Sequence, residues 1–191
     1  MKNRTIKIQQ RKIPVKAILN VLFFILALPL QFSVVEHVSI FGVRPNLPLV
    51  ISIITGIIEG SVYGGATGLF TGLYMDAMTG KTLGVQALFG LYAGVLAGMS
   101  SKKHKGEKIL TVTLITYVIS VLFESCVYLF GYVVPIIGSG AEIRAGFIYA
   151  FARIILPAAM LNTLIGIPVF MMLRSKKVND IGDDIDVQEI Y

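Results

Sequence analysis

GIIEGSVYGGATGLFTGLYMDAMTGKTLGVQALFGLYAGVLAG, residues 56–98, decides how this chain folds. It holds 11 of the 19 glycines in an otherwise apolar setting. Gly56, Gly60, Gly64, Gly68 and Gly72 recur at every fourth residue, and Gly90, Gly94 and Gly98 repeat the pattern. In water each such glycine weakens a helix by about 1 kcal/mol relative to alanine. In lipid, small residues four apart make a flat stripe along which two helix backbones approach closely. The stripe predicts tightly packed membrane helices, and Asp76 at its end marks a polar feature.

Composition points the same way. Of the 191 residues, 55% are hydrophobic and 15% charged, and the mean hydropathy is +0.78. Soluble domains carry about 25% charged residues, so the chain reads as an integral membrane protein with no room for a separate soluble domain. The single cysteine, Cys126, lies in an apolar run and reads as an inert buried thiol. A net charge of +6 would suit nucleic acid, but the basic residues flank apolar runs and form no aromatic-interleaved patch. Membrane topology accounts for them instead.

A helix needs roughly 20 apolar residues to cross the hydrocarbon. Residues 15–35 make the first candidate, with a bend at Pro29. No A-x-A site follows, so the segment reads as an uncleaved helix. Residues 36–44 form a polar loop, and Pro45-Asn46-Leu47-Pro48 opens the next run with prolines suited to a helix start. That run, 47–79, is too long for one ordinary span and divides near residues 60–64. The predicted spans are 15–35, 47–60, 64–79, 83–100, 109–133 and 146–173, an all-α bundle of six transmembrane helices. A basic segment, 1–14, precedes them and a tail, 174–191, follows.

Charge tests this layout. Six Lys and Arg lie in the first 16 residues, four between Lys102 and Lys108 and three between Arg174 and Lys177, thirteen of the 17 in all. Arg44, Lys81 and Arg144 fall on the other side and Arg153 within the sixth span. Such a bias predicts both ends inside.

Four charged residues lie in or beside spans, where an ionised group is costly unless paired or hydrated. Glu124 lies nine residues from the outer end of span five and Arg153 seven residues into span six. At 1.5 Å per residue both sit roughly 11–13 Å deep, so the arithmetic predicts an intramembrane Glu124–Arg153 pair. Such a pair either fixes helix register or lines a cavity or partner contact. Asp76 either pairs with Lys81 or caps the helix beginning near Leu83. Glu59 reaches water at the cytoplasmic turn, Asn162 can hydrogen-bond across helices, and Pro157 and Pro168 are expected to kink span six.

Catalytic patterns are missing. Gly80-Lys81-Thr82 resembles the end of a phosphate loop, but Met75 occupies the required first glycine position. His37 and His104 lack zinc-ligand spacing, and no G-x-S-x-G elbow occurs. The reading is non-enzymatic, with no cofactor and no metal. The basic residues 2–16 are expected to attract anionic lipid at about 1 kcal/mol per residue. The acidic tail 179–191 reads as a flexible, solvated end.

Several segments together resemble a family. Arg44-Pro45-Asn46-Leu47, then Gly68-Leu69-Phe70-Thr71-Gly72-Leu73-Tyr74-Met75-Asp76, then Leu83-Gly84-Val85-Gln86-Ala87-Leu88, look like the rod shape-determining MreD proteins. Leu122-Phe123-Glu124, Arg153, Pro157, Leu161-Asn162 and Pro168 continue the likeness, which covers about residues 15–177. The resemblance implies a bacterial inner-membrane, multi-pass subunit of the elongation machinery that inserts side-wall peptidoglycan. It implies association with an MreC-like bitopic protein and, through it, with an actin-like MreB and a RodA glycosyltransferase–transpeptidase pair. It also implies a fold similar to the substrate-binding subunits of energy-coupling-factor vitamin transporters. Glu59 departs from the pattern and takes no family role.

Three functions remain to be weighed. A scaffold would use glycine-lined faces within the bundle and a groove for a partner's single transmembrane helix. A vitamin or small-molecule carrier would need a polar, aromatic-lined pocket; Glu124, Arg153, Asn162, Tyr128 and Tyr149 are the main side chains on offer. A flippase would need a charged hydrophilic path, which isolated charges do not make. The scaffold is preferred.

Overall fold

Pro45-Asn46-Leu47-Pro48 starts a helix for local reasons. The Asn46 Oδ1 accepts from the Leu49 N–H at 3.1 Å, satisfying one of the donors a helix start leaves unpaired. Pro48 lies in the first turn, where no N–H is needed. In the computed structural model the described residues are Pro29, Gln31, 42–80, 84–102, 109–138 and 146–188. The first expected span, 15–35, lies outside them apart from Pro29 and Gln31.

Helix α1 (Leu47–Glu59) ends at Gly60, whose φ of +103° suits glycine. Helix α2 (Ser61–Thr79) starts at the next residue, so one glycine divides the long apolar run. Gly80, left-handed at φ +62°, closes α2. Helix α3 spans Val85–Lys102 and α4 Ile109–Tyr128. A π-helical turn, Leu129–Val133, carries α4 into the short α5 (Val134–Gly138). The last run comprises α6 (Phe147–Ala150), a π-helical turn at Phe151–Ile155, and α7 (Leu156–Gln188).

Each π-helical turn ends two residues before a proline, Pro135 or Pro157. A proline donates no hydrogen bond and crowds the carbonyl four residues back, and a widened turn relieves both. Pro168 lies inside α7. That helix runs to Gln188, beyond the point where a solvated tail is expected. Extending an existing helix adds one hydrogen bond per residue with no nucleation cost.

Helix α1 is apolar almost all round and is therefore the central helix. It touches α2, α3, α4 and α7, and Val50, Ile53 and Ile54 are fully buried. Helix α4 buries two hydroxyls among the core residues Val112, Ile119 and Phe123 and turns an apolar face outward. Thr116 and Ser120 are buried, whereas Leu110, Leu114, Val118 and Leu122, four residues apart, are each more than half exposed. Phe70 on α2 and Met160 and Leu164 on α7 are also more than half exposed. Water penalises such a surface; lipid does not.

Two helical stretches, Ile109–Gly131 and Phe147–Arg174, are long and apolar enough to cross a membrane. Helix α1, with 13 residues, rises roughly 20 Å, short of the ~30 Å hydrocarbon. Glycine and threonine dilute the hydropathy of α2, which passes no such test of length and composition. The described residues are helical and contain no β-sheet.

Candidate functional site

The glycine stripe brings two helix backbones into direct contact. Helices α2 and α3 run antiparallel, and each step of four along α2 meets a step of four back along α3. A Cβ on Gly68 would strike the Gly90 carbonyl oxygen, and one on Gly94 the Gly64 carbonyl oxygen. Gly72 meets the backbone of Gln86 and Ala87, and Gly98 that of Ser61. The packing positions Gly64, Gly68, Gly72, Gly90, Gly94 and Gly98 thus all lie in one interface. Gly56, across the break at Gly60, also faces Gly94. Where three backbones converge, the buried Ser52 hydroxyl of α1 donates to the Gly64 carbonyl at 3.1 Å.

Asp76 stands at the end of this stripe, 3% exposed. Its Oδ2 accepts from the N–H groups of Gly84 (2.9 Å) and Ala87 (3.0 Å), and its Oδ1 from Gln86 (3.1 Å). A carboxylate in α2 thereby caps the start of α3, where the helix dipole favours negative charge. These bonds offset the cost of burying it. Lys81, the other candidate partner, lies outside the described residues.

Beside Asp76 is a cavity of about 260 Å³. Glu124, Gln86 and Thr79 give it polar edges, and Val127, Tyr128, Ile154 and Ile155 apolar walls. Behind Glu124 the fold is unusually polar. Its carboxyl faces the side-chain amides of Asn162 and Asn46. The Asn46 N–H donates to Asn162 Oδ1 at 2.7 Å, and Asn162 Nδ2 has no full hydrogen bond. The buried hydroxyls of Thr116 and Ser120 are also unpartnered. Thr116, Ser120 and Glu124 are spaced at i, i+4 and i+8, so they share one face of α4.

Glu124 and Arg153 do not meet. Arg153 is exposed and lines a separate cavity of about 490 Å³ with Tyr149, Pro157 and Val43. Ile154 and Ile155, not Arg153, face the Glu124 cavity. Depth arithmetic fixes height along a helix but not direction around it, and Arg153 sits within a π-helical turn that alters this direction. Glu59 ends α1 and is exposed.

Sequence reasoning missed Gln31. Its Oε1 accepts from the Leu47 N–H and its Nε2 donates to the Pro45 carbonyl, both at 3.0 Å, tying it to the start of α1. It also missed Ser52, Thr116 and Ser120; the four-residue spacing of polar residues leading to Glu124 was the available signal. Among the described residues no three His, Cys, Asp or Glu cluster to hold a metal.

Described residues that are almost entirely helical, with exposed apolar faces and two helices long enough to cross lipid, have the character of an integral membrane protein. The rod shape-determining protein MreD family model matches residues 11–176, and the chain belongs to that family. This is a bacterial membrane family concerned with cell shape and not with catalysis. No curated protein and no solved structure matches the chain.

Proposed function

We propose that the protein is a non-catalytic scaffold or regulatory subunit of the bacterial cell-elongation complex that directs lateral peptidoglycan synthesis. The observation that carries this reading is the family match over residues 11–176. In it, six helices cross the plasma membrane with both ends cytoplasmic, as the basic residues suggest. The glycine-packed helices α1–α3 form a rigid centre, and exposed apolar faces on α2, α4 and α7 are available to lipid and to a partner's transmembrane helix. That partner is an MreC-like bitopic protein, through which contact extends to an MreB-like actin homologue and a RodA–transpeptidase pair.

Affinity purification of the tagged, full-length protein from its own membranes tests the reading. Recovery of an MreC-like protein is the expected outcome. Its absence from crosslinked membranes that retain the tagged protein would refute the scaffold.

A further inference from the structure

We infer that the cavity beside Glu124 is a socket for a basic side chain carried on a partner's transmembrane helix. This rests on the scaffold reading and adds to it the chemistry of recognition.

Two carboxylates border the cavity, and they are held differently. Asp76 already accepts from the backbone N–H groups of Gly84, Gln86 and Ala87. Among the described residues, Glu124 faces the neutral amides of Asn46 and Asn162, and Arg153 lines the other cavity. A carboxylate within a membrane-spanning helix is costly unless it is paired or hydrated, so a cation entering the cavity would stabilise it. The walls Val127, Tyr128, Ile154 and Ile155 suit the methylene stem of a lysine or arginine. A cavity of about 260 Å³ has room for such a side chain. Asn162 lies buried behind the carboxyl, and its Nδ2 makes no full hydrogen bond.

The full-length protein in lipid nanodiscs is titrated with a labelled leucine-alanine transmembrane peptide bearing one central lysine, and energy transfer reports binding. The lysine peptide is expected to bind about tenfold more tightly or better than the same peptide with leucine at that place, a step of about 1.4 kcal/mol. Glu124→Gln should remove this preference. So should Gly131→Leu, which projects into the cavity from a position where an added Cβ meets nothing nearer than Val127 and Val85 at 3.9 Å. Equal binding of both peptides by a folded wild-type protein overturns the proposal. Retention of the preference in a folded Glu124→Gln protein would also overturn it, by locating the charge readout elsewhere. Failure of excess unlabelled lysine peptide to displace the labelled one would show binding without a site and would overturn the proposal. If an MreC-like protein co-purifies equally with wild type and Glu124→Gln while the peptides bind alike, the scaffold stands and the socket falls. If none co-purifies with wild type, the scaffold itself falls.

Discussion

Asp76 and Glu124 are both acidic residues in apolar helices, and their surroundings give them different work. Asp76 joins α2 to α3 through three backbone donors. Replacing it with alanine removes a cap, which costs about 1–2 kcal/mol, and leaves buried N–H groups unpaired. Asp76→Ala should lower the melting temperature of the purified protein in detergent, and Asp76→Asn should lower it less. An unchanged transition in both would show that the cap is dispensable. Asp76 as a cap could be read from its place beside the next helix start. The separation of Glu124 from Arg153 could not, because helical height is legible in sequence and rotation about the axis is not. Gln31 was equally hidden: it lies 14 residues before the carbonyl it contacts, and no local pattern links the two.

At the scale of elements, the glycine spacing foretells close packing, and its antiparallel partner is written in the second series at Gly90, Gly94 and Gly98. The division of the apolar run at Gly60 was legible only to within a few residues, because several glycines there could serve. The π-helical turns were not legible, since proline announces a disturbance without saying which form it takes. Backbone contact leaves no room for a side chain at Gly68. Gly68→Leu and Gly72→Leu should therefore disrupt the folded protein, with overpacking of 1–3 kcal/mol or more. Gly131→Ala, whose added Cβ makes only ordinary 3.9 Å contacts with Val127 and Val85, should be silent. Limited proteolysis of membranes would distinguish them: rapid cleavage is expected for the first two and wild-type protection for the third. Similar protection for all three would mean that α2 and α3 do not touch as described.

For the whole molecule, charge asymmetry predicts orientation more firmly than helix length predicts the number of crossings. With Cys126 replaced by alanine, single cysteines at Ser101 and Arg144 can be labelled with a membrane-impermeant maleimide on intact spheroplasts. The Arg144 position should react from outside and the Ser101 position only after lysis. The reverse pattern would invert the topology. The central claim, that this membrane subunit maintains cell shape, is tested most directly by cell width during depletion. The account predicts that rods widen and round as the protein is lost, and that wild type restores their width whereas Gly68→Leu does not. Cells that keep a normal width throughout depletion would contradict it.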